Sequence, residues 1–235
     1  MMEKHKVVSK DAWTAARKKL LAKEKEFTRL RDELSEQRRA LPWERVGKEY
    51  AFDGPKGRQA LTDLFDGRRQ LIVYHFMFGP EGEPCRSCSF WADNFNGIIA
   101  HLNQRDVTFV AISRAPLPKL QAFAKRLGWS FPWLSSGGSD FNYDYNVSFR
   151  SEDIAGGKTV YNYGPNEMEM SDLPGISVFY RDESGAVFHT YSCYARGLDM
   201  LNNAYHYLDL VPKGRDEADL AFTMEWVDYR DRYGR

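Results

Sequence analysis

Large apolar residues recur at threes and fours between residues 9 and 41: Trp13, Ala16, Leu20, Phe27, Leu30, Leu34 and Leu41, with Lys, Arg and Glu in the gaps. That stripe predicts one long amphipathic helix with a rough heptad. Ser9 is placed to cap it, Asp11 falls in its first turn where negative charge is favoured, and Pro42 ends it. The period then shortens. Val46, Tyr50 and Phe52 form a broken alternation ahead of a turn at 53–57, which reads as a short β-hairpin, and 61–67 reads as a brief helical turn closed by Gly67. From 71 to 78 (LIVYHFMF) almost every position is large and apolar, the pattern of a strand buried on both faces. After a loop rich in Gly and Pro at 79–84, Phe90, Trp91, Phe95, Ile98, Ile99 and Leu102 take up helical spacing again.

A second buried strand is predicted at 107–113 (VTFVAIS) and a second helix at 116–127, with Leu117, Leu120, Ala124 and Leu127 on one face and Gly128 as its stop. Residues 131–134 read as one more short strand. Strand, helix, strand, helix at this spacing predicts a right-handed βαβ unit and a parallel sheet. Residues 135–172 break the pattern, with soft points at 135–139 and at Gly156-Gly157 and many aromatics in and around them: Trp129, Phe131, Trp133, Phe141, Tyr143, Tyr145, Phe149, Tyr161 and Tyr163. Such a stretch either covers a sheet edge or forms the wall of an apolar cleft. Two β-rich runs, 176–180 and 186–191, flank Asp182-Glu183-Ser184-Gly185 and predict a hairpin. An amphipathic helix follows at 198–210, and then a tail whose Phe222, Trp226, Tyr229 and Tyr233 are placed to dock back on the domain or on a second subunit. The resulting layout is an N-terminal helical extension (1–42), an α/β domain (43–212) with an insertion at about 135–172, and a C-terminal tail (213–235).

Charge narrows the function classes. Lys plus Arg and Asp plus Glu number 33 each among 235 residues, so no broad basic field argues for nucleic acid or an anionic membrane. No apolar run reaches the length of a membrane span, and the first residues lack an apolar stretch of signal-peptide length. Three cysteines do not make a secreted disulfide framework, so a cytoplasmic, reducing location is the expectation.

The candidate chemistry lies where strand gives way to helix. Pro84-Cys85-Arg86-Ser87-Cys88 is a Cys-x-x-Cys between a buried strand and a helix start. Unpaired N–H groups at a helix start favour a thiolate and lower its pKa. Cys85 is therefore assigned as the attacking thiol and Cys88 as the resolving thiol. Arg86 adds a positive charge that solvent would screen. A purely structural bridge across three residues would constrain almost no loop. A zinc or copper site would need further ligands, and neither Cys193 nor His5, His75, His101, His189 or His206 forms a second tight pair. No metal is therefore assigned. Cys193 reads as a small core residue near a strand end.

Elements of βα type around a Cys-x-x-Cys, then an antiparallel hairpin and a helix, resemble the thioredoxin fold, and LTDLFDGRRQLIVYHFMF looks like the entry to its peroxiredoxin branch. The whole chain is similar to a bacterial family of thioredoxin-like proteins of unknown function, described from its motif as dithiol–disulfide oxidoreductases. The matching stretches include LIVYHFMFGP, CRSCSFWADNF, LSSGGSDFNYDYNVSF, GISVFYRD, VFHTYSCYARGLD, LVPKGRDE and EWVDYRDRYGR. The resemblance implies a central mixed sheet flanked by helices. It also implies disulfide exchange with no organic cofactor, a disulfide substrate and a separate electron donor. Homodimer contact through the N-terminal helix or the tail is the alternative to packing of these segments on the domain itself.

Departures from thioredoxin shape the remaining expectations. Thioredoxins hold a buried acid on the preceding strand, and the aligned position here is Tyr74, with His75 beside it. Strand alternation lets only one of the two face the redox helix, and His75, or a water, is the expected acceptor of the Cys88 proton. Pro174 is the candidate for the cis-proline that thioredoxins place before their hairpin. Trp91, Trp133, Tyr143 and Tyr145 are the expected walls of a substrate cleft beside Cys85. The Pro-x-x-x-Thr-x-x-Cys motif of peroxidatic peroxiredoxins is absent.

Overall fold

The computed structural model describes residues 5–234; residues 1–4 of the N-terminal extension and residue 235 of the tail lie outside the described residues. The chain divides into two units, 1–42 and 43–235. In the first, helix α1 (Lys10–Arg39) starts where expected. Ser9 is its extended N-cap, and the Ser9 hydroxyl accepts from the Ala12 N–H at 3.2 Å. Asp11 stands in the first turn and Arg38 and Arg39 in the last, each sign at the helix end it stabilises.

The second unit runs β1 (Glu44–Arg45), β2 (Ala51–Gly54), β3 (Gly57–Ala60), a 3₁₀ turn, β4 (Gln70–His75), α2 (Arg86–Ala92), α3 (Ile99–Asn103), β5 (Val107–Ser113), α4 (Leu117–Leu127) and β6 (Trp133–Ser135). It continues through α5 (Phe141–Asp144), α6 (Ser151–Ala155), β7 (Val160–Tyr161), β8 (Gly164–Pro165), β9 (Gly175–Arg181) and β10 (Val187–Tyr194), then a second 3₁₀ segment (Ala195–Leu201) and α7 (Asn203–Leu208). The main sheet has the order β1-β10-β9-β4-β5-β6-β2-β3. β5 lies parallel to β4 and to β6, whereas β9 lies antiparallel to β4 and forms a hairpin with β10. A βαβ unit (β4, α2–α3, β5) and a ββα unit (β9, β10, α7) thus share one mixed sheet flanked by helices, with β4 in the middle. This is a thioredoxin-like fold.

β4 carries the two cores on alternate residues. Tyr74 and Phe76 point into a cluster with Cys88, Trp91, Phe95, Phe109, Ala111 and Ile176. Leu71 and Val73 point the other way, into a cluster with Phe52, Phe65, Val110, Ile112, Phe141 and Phe179. Both sets are almost wholly buried, as the unbroken apolar run predicts.

Two predicted helices are shorter than their periodicity. The helix after the cysteines breaks into α2 and α3 because Asn94 and Asn96 bond elsewhere. Asn94 Nδ2 donates back to Phe90 O at 3.0 Å, and Asn96 ties the turn to Gly128 O and Ser130 N. The helix predicted at 198–210 is α7 alone, because Asn202 caps Tyr205 N and leaves a 3₁₀ segment before it. Asn competes with a helix for backbone bonds, and tertiary partners decide the contest here.

The insertion packs mainly on itself and on the sheet. Phe141 and Tyr145 enter the second core, while Val147, Phe149 and Tyr161 form a satellite cluster with Leu173 and Tyr194. Arg114, at the end of β5, clamps it by a bidentate pair to Asp172 at 2.7 and 2.8 Å, and the Ser148 hydroxyl donates to the same carboxylate at 2.6 Å. The tail also belongs to this unit: Val227 and Tyr229 are buried, and Tyr229 lies edge-on against Phe123. Among the described residues no helix is long and apolar enough to cross a membrane.

Candidate functional site

Chain reversal after β4 places the cysteines. The Cys85 N–H donates to Met77 O at 3.0 Å, which folds the 79–84 loop back and sets Cys85 at the mouth of α2. Cys85 is the N-cap of that helix, with φ −62° and ψ 126°, and its Sγ accepts from the Cys88 N–H at 3.3 Å. A sulfur therefore occupies the position that a Ser or Asp oxygen commonly takes. Cys85 is half-buried, and Cys88, one turn on, is 2% exposed.

The two thiols are electrostatically unequal. Cys85 is lowered to about 7 by a hydrogen bond from the Cys88 thiol, helped by the N–H groups of Cys88 and Ser87, which together outweigh the cost of burial. Burial pushes Cys88 well above the ordinary thiol range, and the neighbouring Cys85 sulfur pushes it further. The outer sulfur is thus the more readily ionised of the two near neutral pH, and the inner one keeps its proton. Arg86 opens α2 exposed to solvent, and the groups that lower Cys85 are Cys88 and Ser87.

Tyr74 and His75 separate as alternation requires, in the opposite sense to the expected acid–base role. Tyr74 is the residue that reaches Cys88: burial pushes its phenol well above the usual range, and its charge and hydrogen-bond coupling is to Cys88. His75 points to the far face. Its Nε2 pairs with the Ser177 hydroxyl at 2.9 Å, and its ring lies near Phe141 and Tyr145. His75 is therefore corrected from proton acceptor of Cys88 to a core residue of the opposite face.

A cavity of about 250 Å³ opens onto the pair. Its floor is Tyr74, Cys85 and Cys88. Met77, Trp91, Leu198, Tyr205 and Met224 also line it, together with Pro174 and the charged Arg196, Asp199 and Arg215. No cis peptide bond occurs among the described residues, so the bond before Pro174 is trans, unlike the thioredoxin pattern. Of the expected cleft residues only Trp91 is on this wall, fixed by its indole N–H donating to Leu198 O at 2.8 Å. The other three are corrected. Trp133 is held in the core by its indole N–H donating to Ser113 Oγ and packs at an angle against Phe76, Phe123 and Trp129. Tyr143 accepts from Arg114 at 2.9 Å away from the cysteines. Tyr145 packs on the His75 face. The insertion instead reaches the site through Tyr161, whose hydroxyl donates to Pro174 O at 2.6 Å and accepts from Ala195 N at 2.9 Å.

Sequence reasoning missed Met77, Leu198, Tyr205, Arg215 and Met224 as wall residues. The aromatic spacing of the tail was the available signal. Its anchor is Glu217, whose Oε1 accepts from the Tyr205 hydroxyl, the Met224 N–H and the Trp226 indole. A larger hollow of about 570 Å³ lies between the β2–β3 hairpin and α4 and contains no cysteine. Among the described residues no three His, Cys, Asp or Glu side chains gather as metal ligands, so a histidine is not supplied to Cys85 and Cys88. Cys193 is buried in the first core at the end of β10, its Sγ 3.6 Å from Gly197 O.

Residues 2–233 match the family model described as "Bacterial protein of unknown function (DUF899)". No curated protein matches the chain. Among solved structures, the chain is similar to Peroxidoxin BcpB from Mycobacterium tuberculosis, at 14% identity over 69% of this chain and 94% of that one, with a TM-score of 0.46. It is also similar to Peroxiredoxin Q from Xanthomonas campestris, at 15% identity over 66% and 87% of the two chains, TM-score 0.45. A yeast mitochondrial 1-Cys peroxiredoxin matches at 12% identity over 72% and 78%, TM-score 0.44.

Proposed function

We propose that this chain, which belongs to the bacterial DUF899 family of proteins of unknown function, is a thiol–disulfide oxidoreductase. The observation that carries the reading is the asymmetry of one Cys-x-x-Cys: Cys85 half-exposed and lowered to about 7, Cys88 buried and raised, both on the floor of one cavity. Cys85 attacks a disulfide sulfur as thiolate, and a mixed disulfide forms. Cys88 then attacks Cys85 and releases the reduced product. The Tyr74 phenol donates to the Cys88 sulfur as negative charge develops on it. The Cys85–Cys88 dithiol supplies the two electrons without an organic cofactor and is left as a disulfide, which a separate dithiol reductant returns to its thiol form.

The test is alkylation read by mass across a glutathione redox series. The expected result is a reversible two-electron transition that removes both Cys85 and Cys88 from alkylation together and that vanishes in Cys85→Ser. A pair that stays alkylatable in oxidised glutathione, or a Cys85→Ser protein that still reduces disulfides at the wild-type rate, overturns the reading.

A further inference from the structure

We propose that the Cys85–Cys88 site takes small, uncharged, largely apolar disulfides rather than protein disulfides. The proposal rests on the exchange chemistry above and adds what the site admits. Two independent features lead to it.

The first is the backbone around the sulfur. A protein disulfide held in extended form needs free main-chain N–H and C=O groups beside the thiol. Here those groups are already engaged by the chain itself. Residues 147–149 run antiparallel along 171–173, through Leu173 N to Val147 O and Phe149 N to Ser171 O, both at 2.9 Å. Strand addition before Pro174 is thus made intramolecularly. The Tyr161 hydroxyl takes Pro174 O and Ala195 N on one side of the cavity. The Tyr229 hydroxyl takes Pro84 O, next to Cys85 in the chain. Trp91 takes Leu198 O. Side chains from the insertion and the tail, segments far apart in sequence, thus occupy the carbonyls of Pro174, on the cavity lining, and of Pro84, next to Cys85 in the chain.

The second is the cavity that remains. Its volume of about 250 Å³ suits one ring or a short branched chain, and its lining is mostly apolar through Met77, Trp91, Leu198, Tyr205 and Met224, with Arg196, Asp199 and Arg215 as the charged residues. Its charges cancel locally. Arg215 donates to Asp199 at 3.1 Å and to Asp209 at 2.8 and 2.9 Å, and lies 3.9 Å from the Tyr205 ring centre. Arg196 reaches the same Asp199 at 3.1 Å. A charged substituent entering here would have to compete for partners that are already paired with one another, Asp199 and Asp209 with Arg196 and Arg215, and burying one without a partner is costly.

The reaction balances on these residues. The Cys85 thiolate attacks R–S–S–R′, the Cys85–S–R bond forms as the substrate S–S bond breaks, and R′S⁻ leaves. Cys88 then bonds to Cys85 and expels the second sulfur, and the Cys88 proton leaves on one of the two products. Two electrons pass from the cysteine pair to the substrate, giving the Cys85–Cys88 disulfide, one thiol and one thiolate.

The test compares three oxidants of the reduced full-length protein, each rate divided by that of dithiothreitol with the same oxidant. They are 4,4′-dithiodipyridine (neutral aromatic), 5,5′-dithiobis(2-nitrobenzoate) (dianionic) and insulin. The normalised rate for the neutral aromatic disulfide should exceed each of the others by about tenfold or more. Filling the cavity in Met224→Trp should remove most of that advantage. Equal normalised rates for insulin and 4,4′-dithiodipyridine, or a Met224→Trp advantage equal to wild type, overturn this inference and leave the exchange reading standing. Failure of all three to produce a Cys85–Cys88 disulfide overturns the exchange reading itself.

Discussion

The two faces of β4 use the same apolar background for different purposes. On one, Tyr74 reaches a buried thiol whose partner sulfur opens into a cavity. On the other, His75, Ser177, Ser192 and His189 form a chain of hydrogen bonds at 2.9, 2.8 and 2.7 Å, and His189 Nδ1 ends it 3.5 Å from Glu44. The first face leaves a polar group able to change its state. The second ties polar groups to one another, with His75 Nδ1 left unbonded, and pins β4 to the β9–β10 hairpin. Adjacent residues are sent to opposite tasks by a period of two alone, so proximity in sequence to a cysteine says little about sharing its chemistry.

The largest expected contrast is within the pair. Cys85→Ser should lower disulfide exchange by about a thousandfold or more, because a serine hydroxyl is un-ionised near neutral pH. Cys88→Ser should keep the first step and accumulate a mixed disulfide on Cys85, visible as an intact-mass increase equal to the substrate thiol. Cys88→Ala, which removes the donor that a serine would keep, should raise the Cys85 midpoint above about 7 in a pH series of iodoacetamide rates, since the Cys88 thiol is the leading group that lowers it. A Cys85 midpoint that does not move in Cys88→Ala would show that the Cys88 thiol is not needed to lower it.

How much of this was legible beforehand follows from which interactions are local. The buried strand and both hairpins are written in short-range periodicity and turn residues, and the structure has them close to where the pattern puts them, although β4 stops at His75 and not at Phe78. The alternation rule showed that Tyr74 and His75 must part. It carried no information about which faces α2, because that depends on the packing of the whole sheet. Trp133, Tyr143 and Tyr145 were drawn toward the cysteines by aromatic composition, but composition does not encode a face. The cavity wall at Leu198, Tyr205 and Met224 comes from chain more than a hundred residues beyond Cys85 and is set by tertiary bonds such as those to Glu217. The trans bond before Pro174 has no local signal in Leu-Pro-Gly.

The next effect in size belongs to the closed face and is thermodynamic. Burial, with a smaller contribution from His189, lowers His75 from 6.5 to about 3. The unfolded chain therefore binds a proton at His75 between about pH 6.5 and pH 3 where the folded chain does not. Stability from this group is complete above pH 6.5 and is lost as pH falls through that window. The loss amounts to about 2–3 kcal/mol between pH 7 and pH 4.5. In His75→Gln, which cannot gain the charge, urea unfolding at the two pH values should show an acid loss smaller by that amount, with Cys85 alkylation unchanged. Identical acid losses in the two proteins would mean that His75 is not held neutral by burial.

The smallest effect decides whether the open face is chemically active at Tyr74 or merely packed there. Tyr74→Phe keeps the ring that contacts Phe76 and Phe95 and removes only the hydroxyl coupled to Cys88. A hydrogen bond to a developing thiolate is worth about 1–2 kcal/mol, so resolution of the mixed disulfide should slow by about five- to thirtyfold. The first attack by Cys85 should be untouched, because Cys85 is lowered chiefly by Cys88 and Ser87. Rapid-mixing kinetics separate the two steps: thiol release from the first is fast, and from the second is delayed. A purely structural role would instead lower stability and leave the ratio of the two rates as in wild type. A change in that ratio, with His75→Gln leaving it alone, would tie the chemistry of this site to the face on which Tyr74, and not its neighbour, was placed.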